Sequence, residues 1–158
     1  MKIFNSFYYN MPINCLNGLP RDIKPNLVIY AKITKNDIFC TNPNKNLYNI
    51  EHDIVNKKTN VVIGTLMVNG STSKSSDNHM FFSDLGTLQL KNGTVTYCQS
   101  GTNTTGENGV FLPSKKPIFG RILCGTGDYV FVDGYLVTHV VDDSKRIIYV
   151  YFTNQHFK

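Results

Sequence analysis

Short runs of β-branched and aromatic residues, separated by turn residues, recur along the chain from residue 27 onwards. Two of these runs, residues 80–90 and 94–98, are joined by Asn92-Gly93. Asn-Gly at such a junction predicts a β-hairpin, because both residues tolerate the positive φ angles of a type I′ turn. No segment shows the sustained apolar period of an amphipathic helix. The pattern therefore predicts about eight strands in an antiparallel sheet.

Glycines fall inside several of the predicted strands, at positions 64, 86, 120 and 134. A glycine usually weakens a strand, but one glycine in each of several strands is typical of the tight bends of a small, curled sheet. Closure of the sheet into a barrel would also remove its exposed edges. We therefore expect an all-β barrel domain over residues 27–158. Residues 1–26 have neither helical nor strand periodicity and are expected to form an irregular N-terminal arm.

A glycine-rich segment, Gly125-Thr126-Gly127, lies between two predicted strands, residues 118–124 and 128–140. A glycine-rich loop that binds phosphate opens a helix, and no helical pattern follows here. We therefore predict that Gly125, Thr126 and Gly127 form a structural turn, with Gly134 at a further bend, because glycine readily adopts positive φ.

The charge pattern and hydropathy restrict the possible partners. The net charge is +5, from 16 Lys and Arg against 11 Asp and Glu. The basic residues are scattered among predicted turns and form no stripe, so nucleic-acid binding is not expected.

No apolar run approaches the length of about 18 residues that a membrane-spanning helix needs, and the first residues lack the continuous apolar stretch of a secretion signal. We therefore expect no membrane span and an intracellular, cytoplasmic location.

The four cysteines, Cys15, Cys40, Cys98 and Cys124, are widely spaced and form no C-x-x-C pair. This spacing argues against a zinc site, and no cofactor is expected. Cys98 and Cys124 lie in apolar strand patterns, so we expect them to be free thiols packed in the core.

The segment Glu51-His52-Asp53 groups two acids with an imidazole. Strand alternation places His52 on the opposite face from the two acids, which is poor geometry for a triad or a metal site. We therefore interpret the segment as a solvated strand edge, and we assign no catalytic or metal-binding residue.

Motifs in the second half of the chain suggest a family. Residues 117–129 read PIFGRILCGTGDY, and Gly134-Tyr135-Leu136 follow. This segment resembles the G-G-T-G-x-[FY] and G-Y hairpin of dirigent proteins and the related allene oxide cyclases, with Cys124 in place of the first glycine. Residues 36–49, 62–66, 82–95 and 148–152 are similar to further motifs of that family, in the same order. The resemblance covers about residues 27–153 and implies an eight-stranded antiparallel barrel of calycin-like shape that assembles into homotrimers.

The resemblance also implies where chemistry would take place. Dirigent proteins place acids and arginines in the barrel mouth, and allene oxide cyclases use a carboxylate early in the first strand. Here the first predicted strand begins at residue 27 without an acid, and Val130 and Asp133 stand where dirigent proteins have basic residues. We therefore expect a non-catalytic, oligomeric barrel with a structural or interaction role, as in a component of a larger assembly.

The alternative is a binder of a small hydrophobic molecule, or an isomerase or dirigent-like protein, that uses the barrel mouth. For this alternative we expect Asp37, Asn42 and Tyr97 to contact the ligand. An open, apolar cavity on the order of a few hundred Å³ would favour ligand binding, because that is the usual size of such sites. A barrel filled with side chains would favour the structural role.

Overall fold

The computed structural model describes residues 23–42, 45–74, 79–104 and 117–153. Within these residues the chain forms eight strands and one short 3₁₀ turn, Gly127–Tyr129. The strands are β1 (Leu27–Asn42), β2 (Lys45–Val55), β3 (Val62–Lys74), β4 (His79–Leu90), β5 (Gly93–Thr104), β6 (Ile118–Gly125), β7 (Gly134–Asp142) and β8 (Lys145–Phe152). The predicted N-terminal arm lies outside the described residues, except for residues 23–26.

Each strand pairs in antiparallel orientation with the next, and β8 pairs with β1 to close the barrel. The closing ladder runs from Leu27 opposite Val150 to Lys32 opposite Lys145. The first strand pairs with β8 through residues 27–32 and with β2 from Tyr30 to Asn42, so residues 30–32 pair on both sides. The predicted all-β, eight-stranded antiparallel barrel is therefore confirmed.

Among the described residues, the interior is packed with side chains at one end and open at the other. Successive residues of a strand point to opposite faces, so every second residue faces inward. At the end that carries the β4–β5 turn, the interior is filled by large, fully buried side chains, including Ile54, Leu88, Val95, Leu136 and Val150. We call the opposite end, which carries the β7–β8 turn, the mouth.

The β4–β5 hairpin is confirmed, but the expected type I′ turn is wrong. Leu90 pairs with Gly93, so the two-residue loop is Lys91-Asn92. Neither loop residue has a positive φ, whereas Gly93 has a φ of 144°. The 3₁₀ turn between β6 and β7 holds this loop in place, because the backbone N–H of Asp128 donates to the backbone carbonyl of Asn92 at 2.9 Å.

The predicted turn at residues 125–127 is confirmed at the packed end for Thr126 and Gly127, whereas Gly125 is the last residue of β6 and pairs with Val95. Gly127 and Gly134 have φ angles of 61° and 156°. Gly125 has no positive φ, but a Cβ there would overlap the carbonyl of Tyr129. The side chain of Thr126 accepts the N–H of Thr94 at 3.1 Å and anchors the turn to β5.

The strand predicted over residues 128–140 is wrong in its first part. The N–H of Tyr129 donates to the carbonyl of Thr126 at 3.1 Å, and that of Val130 donates to Gly127 at 3.2 Å. These local bonds form the 3₁₀ turn and delay the start of β7 to Gly134. The apolar character of this segment is explained in part by the half-buried Tyr129, which packs against the core.

Two further observations concern the surface of the described part of the chain. Cys98 and Cys124 are free thiols, but Cys124 is exposed, so its predicted place in the core is wrong. A register shift between β5 and β6 places Thr96 opposite Cys124 and Tyr97 opposite Ile122, which leaves Ile122, and not Cys124, facing inward. No helix in the described residues is long and apolar enough to cross a membrane.

Candidate functional site

The open half of the barrel encloses a cavity of about 360 Å³. Apolar side chains from most strands form much of its lining, among them Ile33, Ile50, Leu66, Val68, Phe82 and Ile148. A mainly apolar cavity of this size that also contains a few polar groups is typical of sites for small organic molecules.

A chain of four polar side chains crosses the interior from β2 to β7. The hydroxyl of Tyr48 donates to Oδ1 of Asp84. Nε2 of Gln99 donates to Oδ2 of the same carboxylate at 2.9 Å, and Oγ1 of Thr138 donates to Oε1 of Gln99 at 3.2 Å. Every donor in this chain points towards Asp84, so the chain holds the ionised carboxylate.

Gly70 gives this chain the space that it needs. On the inner face of the barrel, Gly70 of β3 lies between Tyr48 of β2 and Asp84 of β4. A Cβ at Gly70 would overlap both the Tyr48 ring and the Asp84 carboxylate. A residue with any side chain at this position would therefore separate Tyr48 from Asp84.

Burial controls the protonation of this cluster. Burial raises the pKa of Asp84, while the hydrogen bonds from Gln99 and Tyr48 act in the opposite direction. Burial, together with the nearby charge of Asp84, raises the pKa of Tyr48 and of Tyr97 well above the usual value. Both phenols therefore keep their protons near neutral pH.

His52 is a second buried titratable group in the cavity lining. Its side chain is 4% exposed. Burial, and then the positive charge of Arg146, lowers its pKa to about 4, so the imidazole is neutral at pH 7. Among the described residues, Nδ1 of His52 has no hydrogen-bond partner. A buried polar atom without a partner is uncommon in native proteins, and His52 belongs to the cavity lining.

Charged side chains reach the cavity at the mouth. The guanidinium of Arg146 donates to the backbone carbonyls of Asp142 at 2.5 Å and Lys145 at 3.0 Å. Burial lowers the pKa of Arg146, and the charges of Asp142 and Asp143 partly offset this effect. Arg146 and Asp143 both line the cavity. The mouth therefore carries charges of both signs.

Of the three predicted ligand contacts, the structure places Tyr97 in the cavity. Tyr97 is 1% exposed and belongs to the lining. Asp37 instead forms an ion pair with Lys35 at 2.6 Å, and both side chains are substantially exposed. The side chain of Asn42 lies outside the described residues. Asp37 is not in the cavity lining.

A β-bulge explains why Asp37 points outward. Ile33 pairs with His52, but the next partner of Glu51 is Lys35, so Thr34 is an extra residue on β1. The extra residue exchanges the two faces of the strand. After the bulge, Asn36 and Ile38 face the cavity in place of Asp37.

Sequence reasoning missed Asp84, Gln99 and His52. The interpretation of His52 as part of a solvated edge is wrong, because this side chain lies inside the barrel. The signal was present in the alternation, since Ile50 and Ile54 share a face with His52. In the same way, Phe82 and Leu88 share a face with Asp84.

Comparisons with known proteins show the fold and no closer relationship. No family model and no curated protein matches the chain. A solved structure of pyocyanin demethylase is similar, with a TM-score of 0.58 and 12% identity, and the match covers 80% of this chain and 98% of the other. The crystal structure of AbnU, an exo-specific intermolecular Diels-Alderase, is also similar, with a TM-score of 0.48, 14% identity and coverage of 78% and 94%. At 12% identity, the likeness to pyocyanin demethylase establishes the barrel fold alone.

Proposed function

We propose that the protein binds a small, mainly apolar organic molecule inside its barrel. The observation that carries this proposal is the open cavity of about 360 Å³. A barrel with only a structural role gains stability from a filled interior, whereas this interior is left open around Asp84 and His52. The similarity to pyocyanin demethylase adds support, since that protein is named for acting on a small molecule.

One argument for the structural role expected from the sequence does not hold. That expectation relied on the absence of an acid from the start of the first strand. The interior nevertheless contains a carboxylate, which Asp84 supplies from β4. Burial of an ionisable group costs free energy, so a barrel without a ligand or a reaction has little reason to keep one.

A second candidate function is an isomerisation by proton transfer. Asp84 and neutral His52 both line the cavity. In such a reaction the Asp84 carboxylate takes a proton from a C–H bond next to a double bond. The C–H electron pair forms a new double bond, the pair of the old double bond moves to its far atom, and that atom takes the proton back. The step balances without an oxidant or a cofactor. A carboxylate and an imidazole are the side chains that most often carry such protons.

We also propose a distant relationship to dirigent proteins and allene oxide cyclases, together with self-association into trimers. The order of the sequence motifs supports the relationship, and so does the closed eight-stranded barrel. The arm is proposed to tie the subunits together. Removal of residues 1–22 keeps Asn26, whose N–H donates to Val150 and whose Oδ1 accepts the N–H of Phe152.

The truncated protein tests the oligomer proposal. Its mass by light scattering is expected to fall from that of a trimer towards that of a monomer. A full-length protein that is already a monomer would contradict self-association. A truncated protein that is still a trimer would contradict the proposed role of the arm.

Binding of an uncharged fluorescent probe tests the main proposal. We expect 1-aminoanthracene to bind to the barrel with a stoichiometry of one per chain. Val68→Phe places a ring in the cavity, because Val68 is part of the lining, and it should abolish probe fluorescence. Met67→Phe is the matched control, because Met67 is the adjacent residue, faces outward and is 46% exposed. The absence of binding to the wild-type protein, or equal loss in both variants, would contradict binding inside the barrel.

A further inference from the structure

Asp84 is a buried carboxylate, and the described residues place no cation beside it. Its side chain is 9% exposed, and both of its oxygens accept hydrogen bonds from neutral donors, Tyr48 and Gln99. Two ion pairs of the described residues join Lys35 to Asp37 and Lys145 to Asp142. Neither pair includes Asp84. A buried charge is normally compensated by an opposite charge, and here that compensation is missing.

The other charged groups of the cavity do not supply it. His52 is neutral at pH 7, and Arg146 is held at the mouth by two backbone carbonyls. Among the described residues, the charged lining groups are then Arg146, Asp84 and Asp143, one positive and two negative, which leaves one net negative charge in this part of the lining. Because Arg146 and Asp143 both belong to the β7–β8 turn region, the excess negative charge lies deeper, at Asp84.

Aromatic side chains line the same region of the cavity. Tyr48 donates to Asp84, Tyr97 is close enough for its pKa to respond to the Asp84 charge, and Phe82 precedes Asp84 on the same face of β4. Aromatic rings attract cations electrostatically, and this attraction is stronger where water is excluded. A carboxylate together with three aromatic rings is therefore suited to a positively charged ligand.

The apolar lining restricts the kind of cation. A small inorganic ion or a primary ammonium is strongly hydrated and loses much free energy on entering such a cavity. A planar cation with a delocalised charge is weakly hydrated, as the guanidinium group illustrates, and its rings can contact the aliphatic side chains. A cavity of about 360 Å³ has room for a molecule of two or three fused rings.

We propose that the cavity selects a flat organic cation with a delocalised charge and holds that charge beside Asp84. This inference rests on the proposed binding of a small molecule and specifies the ligand. It predicts that the protein discriminates between molecules of equal shape by their charge, and that Asp84 is the residue responsible.

Three probes of matched shape test the inference: N-methylquinolinium as the cation, quinoline as the neutral molecule and 2-naphthoate as the anion. Their affinities are measured at pH 8, where quinoline is uncharged, by displacement of 1-aminoanthracene and by calorimetry. We expect the cation to bind to the wild-type protein at least about tenfold more tightly than quinoline, and 2-naphthoate to bind most weakly.

A pair of variants separates the site from the overall charge of the protein. Asp84→Asn should remove the preference for the cation, whereas Asp37→Asn should leave it unchanged. Both variants lose one negative charge, but Asp37 is outside the cavity lining. Equal losses in the two variants would overturn the inference.

The wild-type comparison tests the inference even if Asp84→Asn does not fold. Quinoline or 2-naphthoate binding as tightly as N-methylquinolinium would overturn the inference and leave the proposed function intact. Failure of 1-aminoanthracene itself to bind would instead contradict the proposed function.

Discussion

At the scale of single residues, the burial of Asp84 lowers the stability of the fold but places a carboxylate in the cavity. Burial raises its pKa above the ordinary value, so the folded state binds the Asp84 proton more tightly than the unfolded chain does. The contribution of the Asp84 proton to the free energy of unfolding is therefore greatest at low pH and is lost as pH rises through the raised pKa. At neutral pH the ionised carboxylate destabilises the barrel.

Asp84→Asn is accordingly predicted to stabilise the protein at pH 7, by about 1 kcal/mol. The Gln99 amide can rotate to accept from the new amide, so the polar chain keeps its hydrogen bonds. The free energy of unfolding is measured with urea at pH 7 and at pH 4, and the advantage of the variant should shrink at the lower pH. A variant less stable than wild type at pH 7 would contradict the assignment. Asp37→Asn serves as an exposed control and should change stability by less than about 0.5 kcal/mol.

His52 should have the opposite pH dependence. Its pKa is lowered from 6.5 to about 4 in the folded state, so its stability contribution is present above pH 6.5 and is lost as pH falls towards 4. Between pH 7 and pH 5 wild type should lose about 2 kcal/mol more than His52→Asn. Urea unfolding of both proteins at each pH measures the difference. His139 and Asp84 are present in both proteins, so their contributions to the pH dependence cancel in the comparison. Parallel pH profiles for the two proteins would show that His52 is not buried as described.

The residues of the site could be predicted only in part from the sequence. Tyr97 was predicted as a site residue. Strand alternation alone could have placed His52 and Asp84 on the inner face of the barrel, because apolar residues share their faces. Asp37 was misplaced because an extra residue, Thr34, exchanges the faces of β1. A bulge has no distinct residue pattern in this strand, so its effect becomes visible only when the pairing partner is known.

At the scale of elements, the turn between β6 and β7 shows what local sequence can and cannot determine. The glycines correctly marked the turn, since Gly127 has a φ of 61°. The apolar residues that follow it were misread as strand, because their period does not reveal the hydrogen bonds that form the 3₁₀ turn. The contacts of this turn with the β4–β5 loop are non-local and cannot be inferred from either segment alone.

Gly127→Val is predicted to destabilise the protein by about 1–3 kcal/mol, because a β-branched residue is strained at this φ. A Cβ there would also overlap the Asn92 carbonyl. Thermal and urea unfolding measure the effect. Lys91→Val is the control, because Lys91 is exposed in the adjoining turn and has no positive φ. Full stability of Gly127→Val would contradict the described turn.

At the scale of the whole molecule, the closure of the barrel could be predicted from the sequence. The division of its interior into a packed end and an open end could not. Regular hairpins and glycines inside the strands indicated a barrel, and β8 does pair with β1. Whether a closed barrel is filled depends on how side chains from opposite strands meet. Here large aliphatic residues meet at the packed end, whereas Gly70, Gly86 and Gly101 lie under the rings of Tyr48, Tyr97 and Phe82 in the other half.

The open half implies a conflict between stability and ligand binding. Unfilled apolar space lowers stability because its lining lacks packing partners, so Val68→Phe, which places a ring in the cavity, is predicted to raise the free energy of unfolding by about 0.5–2 kcal/mol. The same variant should lose the binding of 1-aminoanthracene. Met67→Phe adds a similar ring outside the barrel and should change neither property. Stability and probe binding are measured on the same preparations of all three proteins.

If Val68→Phe lost stability as well as binding, disruption of the barrel would explain the loss, and the cavity would not be empty space. A stabilised variant without binding would show that the protein keeps this space at the expense of its own stability.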